Sequence, residues 1–244
     1  MMATRTAAMI NRRLYTWFAV CAFLIIFAGF AHTYYLRFAF ETKGLPLLLR
    51  VHGFLFTAWF VLLFVQARLV ARHRVDLHRK LGLAGAALAP LCAFVAIGVS
   101  FTAGRRFVLA HPTSLANFPA QPLAMDFGTS LMFLVLVAIA LFLRRRPESH
   151  KRIMILASCS LLLPAIGRIP FFDAVLFDAV GFWGLVAITE VPPLTCILYD
   201  TIKHRRLHPA FGWGGAVLVA SFPAFLLVGA SDSWLYFASW LLSR

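Results

Sequence analysis

Seven long apolar runs, parted by short links that are basic at every second position, constrain this chain more than any other feature. Lipid offers no partner to an open backbone group, so a segment that crosses it must be helical and needs about 20 apolar residues. Runs of that kind fall at roughly Leu14–Leu36, Leu45–Val70, Leu81–Ala103, Leu123–Leu143, Ile153–Ile169, Val175–Tyr199 and Phe211–Ala230. A short amphipathic piece, Ser233–Leu242, follows, and its pattern predicts a helix at the membrane surface. The expected fold is an all-α, polytopic transmembrane helical bundle of about seven spans. It forms a single integral membrane domain over residues 1–244.

Composition agrees. The chain is 61% hydrophobic and 13% charged, against about 45–50% and about 25% in soluble domains. A net charge of +14 raises the question of nucleic acid. The bases lie between apolar runs and build no soluble basic domain, so nucleic acid is rejected. Cys21, Cys92, Cys159 and Cys196 all lie inside apolar runs, at spacings that match no zinc or haem-attachment motif. They read as small core residues.

The links set the orientation. Arg5, Arg12 and Arg13 precede the first run. Arg68, Arg72, Arg74, Arg79 and Lys80 surround the second link. Arg144, Arg145, Arg146, Lys151 and Arg152 occupy the fourth, and Lys203, Arg205 and Arg206 the sixth. These are 16 of the 23 Lys and Arg, all on one side. Excess Lys and Arg mark cytoplasmic loops, so the N-terminus is expected inside and the C-terminus outside, in a bacterial inner membrane. The first run is too long for the apolar region of a signal peptide and is expected to remain as an anchor.

Ionisable groups inside a bilayer are costly and draw attention as functional candidates. Glu190 lies near mid-depth, followed by Pro192 and Pro193. Both prolines lack an N–H, so the helix is expected to break or bend beside a carboxyl group. Broken helices at mid-depth are one way transporters build their sites. Pro90, Pro164 and Pro223 are expected to interrupt three other spans near the same depth. The other reading of Glu190 is a neutral carboxyl that only pins the bundle. Gln66, in the inner third of the second span, is expected to hydrogen-bond across helices.

Toward the outer face, His32 and His52 sit at depths differing by only about 5 Å at about 1.5 Å per residue. Two imidazoles on neighbouring helices are a plausible axial pair for a b-type haem in a bundle core. Arg37, Arg50 and Arg168 would then face the propionates, Asp126 would orient a histidine, and Trp59 shares the face of His52. Ordinary interfacial histidines are the plainer reading. On the inner side, Asp200, His204 and His208 are spaced as one helical stripe that resembles a metal ligand set. Pro209 argues against it, because the residue before a proline is pushed out of the helical region.

A histidine-and-bases signature occurs three times, in LHRKLGLAG (Leu77–Gly85), SHKRIMILA (Ser149–Ala157) and KHRRLHPAF (Lys203–Phe211). Its copies mark the three inner loops. His78, Arg79, His150, Lys151, Arg152 and His208 read first as anchors to an anionic leaflet. Their sharper reading is a site for an anionic lipid headgroup or phosphate.

From His52 to the C-terminus, the chain resembles an uncharacterised family of bacterial polytopic membrane proteins. The resemblance rests on His52…Trp59…Gln66, His78-Arg79…Gly82, Glu148…His150-Lys151-Arg152…Met154, Arg168, Asp200…His208-Pro209…Trp213-Gly214 and Asp232…Trp234. It implies a membrane bundle and no particular activity. The family tends to carry Asp where Glu190 stands and lacks the double proline, which shifts weight from the helix break to the acid. A more distant likeness to membrane cytochromes b implies haem. Three expectations follow: a b-type haem protein for electron transfer, a proton-coupled transporter or channel-like protein using Glu190, or a non-catalytic subunit or assembly factor of a larger membrane complex. No nucleophile–base triad, nucleotide loop or di-iron histidine cluster supports an enzymatic assignment.

Overall fold

The computed structural model describes residues 2–40, 44–110, 120–169, 181, 184 and 186–243, with side chains from Leu14 onward. The described residues form helices joined by short links, and no strand occurs among them. We number the helices α1 (Met2–Phe30), α2 (Leu47–Ala71), α3 (Val75–Ala110), α4 (Ala120–Phe142), α5 (Pro147–Cys159), α6 (Leu163–Ile166), α7 (Val191–His204), α8 (Pro209–Gly229) and α9 (Asp232–Leu242). A π-helical turn, Ala31–Tyr35, extends α1, and a 3₁₀ turn, Leu143–Arg145, extends α4.

Among the described residues, five helical segments are long and apolar enough to cross a membrane: Leu14–Tyr35, Leu47–Ala71, Val75–Ala110, Ala120–Arg145 and Pro209–Gly229. The predicted sixth span, Val175–Tyr199, begins outside the described residues, and its described part is helical over 186–189 and again in α7, parted at Glu190. The predicted fifth span is split into α5 and α6.

Local chemistry explains the short links. After α2, His73 adopts a left-handed conformation (φ 60°). Its N–H bonds the Val70 carbonyl at 3.1 Å, and the Arg74 N–H reaches back to Leu69 at 2.9 Å. This doubly bonded stop satisfies carbonyls that a helix end leaves open. Only three residues then separate α2 from α3, which forces the two helices side by side. Pro147 opens α5 in its first turn, where a missing N–H costs nothing. Arg205 (φ 52°) closes α7. His208 is extended (φ −75°, ψ 133°) and caps α8, with Nδ1 accepting from the Ala210 N–H at 3.1 Å. Pro209 thus removes His208 from the stripe, as expected.

The helix α4 lies centrally, against α3, α5, α8 and α9. Phe133, Leu136 and Ala140 bury its inward face. The α3 helix runs 36 residues, roughly 54 Å at about 1.5 Å per residue. That exceeds a hydrocarbon core of about 30 Å. Asp76–Lys80 therefore continue the helix and do not form a loop before it. At the far end, α9 docks through Ala238 and Leu242 beside Leu123, and Trp234 Nε1 donates to the Ala120 carbonyl at 2.7 Å.

Pro90 and Pro223 sit inside unbroken helices. The expectation that they interrupt their spans is corrected. A proline removes one backbone bond and bends a helix, but the flanking turns carry it through. Of these three prolines, Pro164 alone stands at a break.

Candidate functional site

Two helix breaks meet near the middle of the molecule. The first follows α5. Leu161 and Leu162 bond the carbonyls of Ser158 (3.3 Å) and Cys159 (3.0 Å), three residues back instead of four. Ser160 Oγ donates to the Ala157 carbonyl at 2.8 Å, so the tightened turn keeps its acceptors satisfied. Ser158 Oγ donates to Met154 and accepts from Trp59 Nε1 at 3.4 Å, which ties the break to α2.

The second break is at Glu190. Residues 186–189 are helical, Glu190 forms a turn, and α7 starts at Val191 with Pro192 and Pro193 in its first turn. These prolines cannot donate to the Ile188 and Thr189 carbonyls. The Glu190 side chain is turned inward, with 7% of the residue exposed, and both carboxyl oxygens are buried without a hydrogen-bond partner among the described residues. It lies within electrostatic reach of Cys159, the last residue of α5. Ser158, Ser160, Thr189 and Cys196 are buried in the same core. A buried acid without a partner is unusual, because an unpaired charge in such a place costs several kcal/mol, roughly.

The candidates expected toward the outer face are only partly assembled. His52 stacks on Phe56 at 4.3 Å, and its Nδ1 is buried without a partner. Arg168 lies within electrostatic reach of both His52 and Asp126. Asp126 Oδ2 accepts from Ser100 at 2.5 Å. Arg168 Nη1 donates to the Pro164 carbonyl at 2.8 Å and sits 5.3 Å from the Phe30 ring. His52, Asp126 and Arg168 thus gather from α2, α4 and the segment after α6. His32 is exposed on the π-helical turn, with its ring on Phe40 at 4.5 Å. His32 is engaged by Phe40 and His52 by Phe56, and no ring contact joins the two histidines among the described residues. Arg50 is exposed, and its carbonyl accepts from Tyr34. Arg37 lies over Phe38 at 4.3 Å.

At the end of the bundle expected to face inward, sequence reasoning missed the strongest interaction. Arg152 is 1% exposed and Asp200 is wholly buried. Arg152 Nε donates to Asp200 Oδ2 at 2.9 Å and Nη2 to Oδ1 at 2.8 Å. Its remaining nitrogen, Nη1, donates to the Glu148 carbonyl and to Oε2, each at 2.7 Å. Phe211 lies 5.7 Å away. His204 Nδ1 takes the Asp200 carbonyl at 2.8 Å. Arg152 is therefore committed to an internal pair. A lone Asp at the inner end of one apolar run, opposite an Arg opening another, was the available signal. Asp200 and His204 do share a helix face, with His204 Nδ1 3.5 Å from Asp200 Oδ1, but the short bonds to the Asp200 carboxylate come from Arg152. Among the described residues, no group of three or more His, Cys, Asp and Glu is arranged to hold a metal ion.

Lys151 Nζ bonds Glu148 Oε1 at 2.7 Å and lies 5.1 Å from Tyr15. The rings of His78 and His150 are 6.4 Å apart. These contacts bring the start of the first run and the predicted inner links to one end of the bundle. Arg79 is exposed. Gln66 Oε1 and His78 Nδ1 are buried and have no partner.

Burial would raise the Glu148 carboxyl above the ordinary 4.5, but hydrogen bonds from Lys151 and Arg152 outweigh it and hold it at about 2. A depressed carboxylate adds stability above its unfolded value and loses it as pH falls toward the folded one. The thermal-midpoint gap between wild type and Glu148→Gln should be full at pH 7 and close between about pH 4.5 and pH 2. A gap that does not change with pH would refute the ion-pair account.

The chain matches no known protein-family model, no curated protein and no solved structure.

Proposed function

We propose that this is a seven-span protein of a bacterial cytoplasmic membrane, N-terminus inside, that carries protons, or a solute coupled to them, through Glu190. The observation that carries this reading is the Glu190 carboxyl, buried with neither oxygen bonded, where two interrupted helices meet. A neutral acid is tolerated there. A carboxylate is not, unless a cation or water arrives with it. Such a group binds and releases a proton only when the surrounding helices admit water, which is the requirement for coupling. Discontinuous helices give that movement a hinge. The exposed bases Arg72, Arg74, Arg79, Lys80, Arg144, Arg145 and Arg146 support an inner face seated on anionic headgroups.

Purified protein in proteoliposomes, with a pH-sensitive dye inside and an imposed potential, tests the reading. Wild type should acidify the lumen, Glu190→Gln should abolish the flux, and Glu190→Asp should retain part of it. Equal flux in wild type and Glu190→Gln would remove Glu190 from the mechanism.

One observation favours a second reading, electron transfer through a b-type haem: the unpartnered, buried Nδ1 of His52 beside Arg168. Protein from haem-replete cells would then show a Soret band that His52→Ala removes. Without such a band this reading fails.

A further inference from the structure

Two of the three histidine-and-bases copies, far apart in sequence, meet in space. His78 projects from the first turns of α3 and His150 from the first turns of α5, with ring centroids 6.4 Å apart and ring planes at 83°. The two rings are held differently. His150 Nδ1 holds the Ala140 carbonyl at 2.7 Å, which makes it the N–H and leaves Nε2 with its lone pair. The backbone of Gln66 lies within hydrogen-bond reach of the His78 ring. His78 Nδ1 is buried with no partner, and so is Gln66 Oε1. Gln66 Nε2 lies 3.8 Å from the point a side chain would occupy at Gly82, so the amide fills the space beside that glycine. Three polar side chains from α2, α3 and α5 thus lie close together, and His78 Nδ1 and Gln66 Oε1 have no hydrogen-bond partner among the described residues. Buried polar atoms are rarely left so, and each exception asks for an explanation.

We propose that His78 and His150 form a two-coordinate site for a monovalent soft metal ion, Cu(I), with the Gln66 amide oxygen as a weak third donor. Spacing supports it. With metal–nitrogen bonds of about 2.0 Å, two imidazoles in line across one metal have centroids about 6.2 Å apart, whereas a tetrahedral pair needs about 5 Å. The observed centroid separation of 6.4 Å matches the linear arrangement and exceeds the tetrahedral one. Second-sphere bonding supports it as well. A ligating histidine usually gives its other ring N–H to a backbone carbonyl, as His150 does with Ala140. Charge then selects the ion. Arg79 and Lys80 follow His78 directly, and Lys151 follows His150. The nearby acid Glu148 is taken up by Lys151 and Arg152. A site without a carboxylate and flanked by cations penalises a divalent ion more than a monovalent one. Imidazole suits copper without adding charge. The site lies apart from Glu190 and does not depend on its role.

Cu(I) titration of the purified full chain, under reducing conditions and against a chromophoric chelator, should find one tight site per chain. His78→Gln and His150→Gln should each weaken it by roughly tenfold or more. X-ray absorption on the loaded wild type should show nitrogen neighbours near about 2 Å and no sulfur. Sulfur in the first sphere would assign the ion to the cysteines and overturn the proposal. Lack of uptake, or uptake unchanged in both variants, would overturn it too. The absorption measurement needs no variant, so it decides even if a substitution impairs folding.

Discussion

Arg152→Ala should lower stability by about 3–5 kcal/mol, because it removes one partner of a buried pair and strands the other. Asp200 is fully buried and receives two bonds from Arg152. His204, at 3.5 Å from Oδ1, is too long a contact to replace them. Glu148 would lose two bonds as well. Denaturant titration in a mild detergent, followed by tryptophan fluorescence, reads the effect. The paired replacement Arg152→Met with Asp200→Leu should recover much of the loss, since well-packed apolar residues often equal or exceed a buried ion pair. A loss below about 1 kcal/mol for Arg152→Ala would mean that water reaches Asp200 and that the pair behaves as a surface one.

Gly29→Ala should also be strongly destabilising, against helix propensity. In an exposed helix interior, alanine gains about 1 kcal/mol over glycine. At Gly29 the new methyl would fall on the backbone of Ala165 in α6, on its carbonyl oxygen, carbonyl carbon and Cα. Backbone cannot rotate away as a side-chain tip can. Overpacking of this kind costs about 1–3 kcal/mol, so the net sign reverses. Gly98→Ala is the internal control, since its nearest neighbour is Leu48 Cδ1 at 3.9 Å and nothing must move. If both substitutions shift the midpoint alike, the close approach of α1 and α6 is not rigid. The small residue at 29 therefore sets how near the first helix comes to the break that follows α5.

Much of the fold was readable because its rules act locally. Apolar run length, Pro147, Pro209 and the basic links each act within a few residues. The break at Pro164 and the restart at Pro192-Pro193 were foreseeable for that reason. Pro90 and Pro223 misled, because proline alone does not decide between a bend and a break. At Pro164 the serine hydroxyls and i→i−3 bonds of Ser158–Leu162 stabilise an alternative backbone path. The site was less legible. Glu190 stood out by depth, yet its lack of a partner depends on what packs around it. Arg152 looked like its exposed neighbours Arg79 and Lys80. Its burial depends on Asp200, 48 residues on, and no spacing rule reaches that far. His78 with His150 was visible as repetition and not as contact.

The Arg152–Asp200 clasp also bears on the order of biogenesis. A ribosome delivers Arg152 well before Asp200, so α5 emerges carrying a guanidinium whose main counter-charge has not been made. Until α7 follows, Glu148 on the same helix is its only acid partner among the bonds described here. Placing α5 in lipid at that stage would leave much of the charge uncompensated. If α5 and α7 enter the membrane as the seven-span proposal has it, α5 has reason to wait at the translocon or the interface and to enter together with α7 as a neutral pair.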